Sequence, residues 1–72
     1  MSTIHEIIGK VGRVTGRVAP GESGEVVLPM QGGSEAFYAY GHDASDVIPA
    51  NTLVEVTRFF PPRSVYVKIH TA

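Results

Sequence analysis

Seventy-two residues make one small domain, and a chain this short buries only about 60% of the surface its unfolded form exposes. With no cysteine there can be no disulfide, no zinc–thiolate site and no thiol catalysis, and six Lys/Arg against seven Asp/Glu leave a net charge of −1. That balance argues against nucleic acid, whose sequence-independent binding draws on basic side chains, and no apolar run approaches the ~18–20 residues of a membrane span.

Glycines and prolines fall at short intervals, and no stretch holds a 3.6-residue apolar period, so the chain reads as short strands. Residues 1–8 form a lead-in or an added start, in which Ile4 to Ile8 fits either a turn or a strand. The basic start and apolar middle of a signal peptide are missing there. The domain proper runs over 9–70. Its first strand is expected over 9–19, with Val14 and Val18 on one side and Arg13, Thr15 and Arg17 on the other. Gly12 and Gly16 are the places where it would bend around a small barrel. Pro20 to Gly24 is a turn. The second strand covers 25–30, with Val26, Leu28 and Met30 on one face. Pro29 cannot donate to a ladder, so its neighbour strand should be absent there.

After a turn at Gln31-Gly32-Gly33, the third strand covers 35–40. Glu35-Ala36-Phe37-Tyr38-Ala39-Tyr40 and its flanks hold half of the six aromatic residues. Alternation puts Ala36, Tyr38 and Tyr40 on one face and Phe37 and Ala39 on the other. A loop follows over 41–51. The fourth strand is 52–60, with Val54 and Val56 in phase, and Pro61-Pro62 turns the chain. In the fifth, 64–70, Val65, Val67 and Ile69 alternate with Ser64, Tyr66, Lys68 and His70, the period of a half-buried strand. Five strands with a glycine-rich first one predict an all-β, small five-stranded Greek-key barrel of the OB type. An SH3-like barrel is the second choice, since strand count alone does not separate the two.

The glycines and valines carry a resemblance. The runs IIGKVGRVTGRVAPGESGEVVL, EAFYAY and VIPANTLVEVTRFFPPRSVYVKI, roughly 7–69, resemble the C-terminal soluble domain of NfeD-like proteins. Gly9 and Gly12 fit an opening Gly-x-x-Gly, and Gly24-Glu25-Val26 a Gly-x-Val. Ala36 fits an alanine in an aromatic strand, and Ile48, Val54, Val56, Val65 and Val67 fit the closing strands. Asn51 stands where the family has a loop glycine; asparagine also tolerates the left-handed region. Phe37 takes the volume of a tryptophan often found beside the alanine, and the Pro61-Pro62 turn is unusual. The resemblance implies a soluble OB-like domain that follows membrane helices and faces the cytoplasm, with any anchor lying outside this chain. It implies a stomatin- or flotillin-type membrane scaffold protein as partner. The serine protease domain of long members has no counterpart here, so the implied role is protein interaction, not catalysis.

Two uses compete for the outward aromatics. In the first, Tyr38, Tyr40, Phe60, Arg13 and Arg17 form a protein-docking surface, being of types enriched at interfaces. One of Phe59 and Phe60 faces the core, and the outward one either touches a partner or covers an open barrel end. In the alternative, the chain is a stand-alone oligonucleotide-binding module that stacks bases on Tyr38 and Tyr40. Arg13, Arg17, Arg58 and Arg63 would then meet phosphates, against Glu25, Glu35 and Glu55 on the same strands. His42, Asp43, Ser45 and Asp46 share one loop, but it has no nucleophile elbow and no visible oxyanion donors. One histidine and two carboxylates at irregular spacing make a poor metal set. No catalytic residue, metal site or cofactor is expected.

Overall fold

The computed structural model describes residues 7–71. It contains five strands: β1 (Val11–Gly16), β2 (Gly24–Met30), β3 (Gly33–Gly41), β4 (Leu53–Phe60) and β5 (Ser64–Ile69). They close into one barrel in the order β1-β2-β3-β5-β4, and β4 returns to β1. Neighbours are antiparallel except β3 and β5, which run parallel with Tyr40 opposite Tyr66. The parallel pair and the closing β1–β4 pair decide for the OB-type Greek key over an SH3-like barrel. Closure leaves no long sheet edge open, which suits a surface with few charges to guard one.

Alternation built the wall. Val14, Val26, Leu28, Phe37, Ala39, Val54, Val56, Val65 and Val67 all point inward and are buried. Among the described residues no polar or charged residue is buried, so the core holds no group that needs a partner. Pro29 has a free side only toward β1, where the last paired residue of β2 is Val27; on the other side β3 is present and Pro29 pairs with Ser34, so the neighbour strand is absent on one edge and not on both.

Both ends are plugged. At one, Ile48 of the β3–β4 connection faces Val18. The two exchange backbone hydrogen bonds, Val18 N–H to Ile48 O at 2.9 Å and Ile48 N–H to Val18 O at 2.8 Å. At the other, Met30 and Phe59 pack against Ile7 and Phe37. Most of the 1–8 lead-in lies outside the described residues. At its end, Ile7 is buried, and its carbonyl accepts from Lys10 N–H at 3.1 Å in a turn.

Several boundaries differ from those read in the sequence. The first strand is shorter than 9–19: pairing stops at Gly16, and Val18 and Ala19 form isolated bridges. The register with β2 slips between Val14 and Gly16, so the bend falls at one of the expected glycines. A side chain on Gly12 would run into the Val27 carbonyl and the Leu28 side chain, so that glycine serves close packing. The third strand is longer than 35–40, extending to Gly33 and Gly41. Ile69 keeps the inward phase but is 51% exposed. It is the last residue of β5, where the barrel no longer has a wall to cover it.

Phe59 and Phe60 divide for a reason that alternation misses. Counting by twos from Val54 and Val56 points Phe60 inward. However, β4 carries a bulge between Val56 and Arg58, two residues opposite one step of β5. The extra residue resets the phase. Phe59 then packs against the core and Phe60 stays 47% exposed.

Candidate functional site

The outward residues of β3, β5 and β4 place three aromatic rings in a row. Tyr40 on β3 lies beside Tyr66 on β5, with centroids 5.7 Å apart and planes tilted by 35°. Tyr66 in turn meets Phe60 on β4 edge to face, at 5.3 Å. Offset and T-shaped contacts of this kind are the preferred aromatic arrangements. Tyr38 shares the outer face of β3 and is 57% exposed, between Glu25 of β2 and Ser64 of β5. Of the residues expected to form a surface, Tyr40 and Phe60 are thus joined through Tyr66, which sequence reasoning passed over. The outward phase of Tyr66 was visible. That it would stand against Tyr40 depends on the parallel β3–β5 pairing, which no local pattern encodes.

The two expected arginines stand apart from the row. Arg13 pairs with Leu53, at the far end of β4 from Phe60, roughly 20 Å away at ~3.3 Å per residue. Its Nη1 donates to Asn51 O at 3.3 Å. Arg17 is exposed beyond the end of β1. Among the described residues the one cation–π contact is that of Arg63, 5.9 Å from the centroid of Phe37. Arg63 also donates from Nη1 to Ala36 O at 3.0 Å and pairs from Nη2 with Glu35 at 3.5 Å. With Tyr38 N–H on Arg63 O at 2.8 Å, it fastens the β4–β5 turn to β3. That exposed ion pair adds little energy by itself; the backbone contacts hold the turn. Glu25, Glu35 and Arg63 line one groove with Tyr38, so the ring most open to a base stands beside the Arg63–Glu35 pair and the Glu25 carboxylate.

The 42–46 loop is tied down by its own polar groups. His42 N–H donates to Val67 O at 2.8 Å. The His42 ring Nδ1 lies 3.0 Å from Thr57 Oγ1, and that hydroxyl donates to Tyr66 O at 3.2 Å. Asp46 N–H donates to Asp43 O at 3.0 Å, and Asp46 Oδ2 accepts from Asp43 N–H at 3.0 Å, so the two residues close the turn reciprocally. His42 and Asp46 are thereby bound to structural partners rather than to each other or to Ser45. Among the described residues no group of three or more His, Asp or Glu converges as metal ligands would. The loop and the 19–23 turn do enclose a cleft of about 600 Å³, which Tyr40 and Tyr66 help to line.

The model of the NfeD C-terminal domain matches residues 11–68, the whole barrel. The chain belongs to the NfeD C-terminal domain family. Solved structures agree. The soluble domain of the NfeD protein YuaF from Bacillus subtilis is 27% identical and superimposes with a TM-score of 0.76, covering 93% of this chain and 77% of that one. The soluble domain of a membrane protein implicated in regulation of membrane protease activity, from Corynebacterium glutamicum, is 19% identical with a TM-score of 0.74. It covers 93% of this chain and 97% of that one. The C-terminal domain of stomatin operon partner protein 1510-C from Pyrococcus horikoshii is 19% identical, covers both chains fully and gives a TM-score of 0.69. No curated protein matches. Asn51 takes φ 74°, the left-handed conformation expected at the loop position where the resemblance has glycine. Phe37 is only 4% exposed, at the place of the absent tryptophan. Among the described residues no helix is long and apolar enough to cross a membrane.

Proposed function

We propose that this NfeD-like domain is a non-catalytic docking module that faces the cytoplasm. It belongs to a membrane-anchored protein and binds a stomatin- or flotillin-type scaffold protein. The observation that carries this reading is the aromatic row Tyr40–Tyr66–Phe60 on the outer wall, with Tyr38 exposed beside it. Tyrosine and phenylalanine left outward on a sheet of a small barrel supply contact area with little side-chain entropy to lose. The Pyrococcus relative is a stomatin operon partner protein, which supports the partner class. Non-catalysis is supported by the engagement of His42 with Thr57 and of Asp46 with Asp43. Arg13 and Arg17 lie outside the row, so the aromatic residues are the part of the expected surface on which the reading rests.

The test is made in the protein's own cells with an antibody to this domain. The expected outcome is fractionation with membranes, a size above 7.7 kDa and co-capture of the stomatin-type protein. Phe60→Ser together with Tyr38→Ser should reduce that capture by tenfold or more if two aromatic anchors at ~1 kcal/mol or more each are removed. A soluble species of 7.7 kDa that captures no scaffold protein overturns the reading.

A further inference from the structure

The cleft between the 19–23 turn and the 42–46 loop has its own chemistry, and it deepens the docking reading by naming what the partner must present. Tyr40 and Tyr66 line it together with Glu22, Asp43, Asp46 and His42; no lysine or arginine does. A cation attracted to a ring face sits within ~6 Å of the centroid. The two centroids are 5.7 Å apart and the planes are inclined at 35°, so a point within that limit of both centroids exists. Among the described residues the one ion pair is Arg63–Glu35, which leaves the three carboxylates of the cleft without a cationic partner, Asp46 accepting from Asp43 N–H. Asp43 and Glu22 offer only backbone groups to the internal hydrogen bonds, Asp43 N–H and O and Glu22 N–H, so both side chains are free for a ligand. The neighbouring cations stand outside. Arg58 opposes Tyr66 from β4, on the side away from β3 and Tyr40, and Lys68 lines the adjoining groove, which shares His42, Asp43 and Asp46 with the cleft, without pairing with either carboxylate.

We infer that this cleft binds a basic side chain, the guanidinium of an arginine or the ammonium of a lysine, carried on a segment of the protein partner. A volume of about 600 Å³ exceeds what one side chain fills, so flanking backbone enters with it. A choline lipid headgroup shares the cationic chemistry but brings a phosphate to within a few Å of three carboxylates, which disfavours it. Nucleic acid is disfavoured for the same reason.

The experiment titrates the 72-residue chain with an acetylated, amidated tri-arginine peptide, following the Tyr40 and Tyr66 ring resonances by NMR. Parallel titrations use tri-citrulline, free arginine amide and phosphatidylcholine vesicles. Saturable shifts at both rings are expected with tri-arginine, and none with tri-citrulline. Raising the salt should weaken binding, since these charges are exposed. Glu22→Gln with Asp43→Asn, both on exposed turn side chains, should weaken it about fivefold, the size of two surface charge contacts. Tyr66→Leu should weaken it further, while Tyr66→Phe, which keeps a ring, should retain it.

Free arginine amide matching the peptide would overturn the peptide-borne assignment in favour of a small cation. Vesicle binding at the same rings would overturn it in favour of a membrane. Equal affinity of the Gln/Asn double variant, or shifts centred on Tyr38, Glu25 and Glu35, would remove the cleft from the account. The two readings fail separately. Scaffold capture that survives Glu22→Gln/Asp43→Asn but not Phe60→Ser/Tyr38→Ser sinks the cleft and keeps the docking module. Tri-arginine binding without scaffold capture does the reverse.

Discussion

Ile48→Ala tests whether the β3–β4 connection is part of the barrel or a loose loop. Ile48 is 1% exposed and seals one end against Val18 through the paired backbone hydrogen bonds. The substitution removes three buried carbons. At ~0.8 kcal/mol for each that is ~2.4 kcal/mol, and the residual cavity raises the loss to about 3–4 kcal/mol. A domain of this size starts from roughly 5–8 kcal/mol, so about half of its stability should go. Urea unfolding followed by far-UV circular dichroism and by tyrosine fluorescence reads it, the latter unmasked because the chain has no tryptophan. The midpoint should fall at nearly constant slope, and Tm should drop by roughly 15–25 °C. The control is Val47→Ala next to it, at 54% exposed, which should move stability by no more than ~0.5 kcal/mol. An Ile48→Ala loss no larger than that of Val47→Ala would refute the plug. It would also return the loop, with its His and Asp residues, to the status of a free segment open to other work.

Gly24→Ala puts a Cβ 2.6 Å from Gly16 O and 2.8 Å from Arg17 O, both backbone atoms, and should cost more than about 2 kcal/mol in the same urea assay. Asn51→Gly should be within ~0.5 kcal/mol of the parent, whereas Asn51→Val, a β-branched residue at φ 74°, should cost about 1–2 kcal/mol. Thr57→Val removes the hydroxyl that hydrogen-bonds the His42 ring and Tyr66 O; a loss of about 1–2 kcal/mol is expected in urea unfolding, with a shift of the His42 ring resonances by NMR.

The sequence was most legible where each position had one local rule to obey. Val65 and Val67 alternate with polar neighbours and are fully buried; Phe37 and Ala39 point in while Tyr38 points out. Asn51 tolerates the left-handed turn as its type allows. What remained hidden depended on a second strand. The bulge of β4 exists only in relation to β5, so the split between Phe59 and Phe60 could be expected while its direction could not. Ile69 obeys the period and is exposed because the barrel ends there, a fact about its neighbours rather than its own segment. The surface shows the same division. Tyr40 was read as a candidate and Tyr66 was not, although the two rings touch, because a parallel pair between β3 and β5 brings together residues 26 apart in the chain. Arg13 and Arg17 were grouped with the tyrosines by residue type, and the barrel wraps β1 away from them.

The charge around these rings weighs between the two classes of partner that an OB-type wall can serve. Oligonucleotides bind such barrels over the β2–β3 face and its loops, and stacking contributes ~1–3 kcal/mol per base. Here Glu25 lies across from Tyr38, whose groove also holds the Arg63–Glu35 pair, while Glu22, Asp43 and Asp46 line one cleft with Tyr40 and Tyr66. A phosphate about 6 Å from one carboxylate meets ~0.7 kcal/mol of repulsion even in water, so three of them offset roughly 2 kcal/mol. That cancels most of what one stacked base supplies, and each further nucleotide brings another phosphate. For a basic side chain the same terms change sign and add to the attraction of the ring faces. The barrel determines where the aromatic rings stand, and the carboxylates beside them turn a surface suited to bases into one that favours a cation.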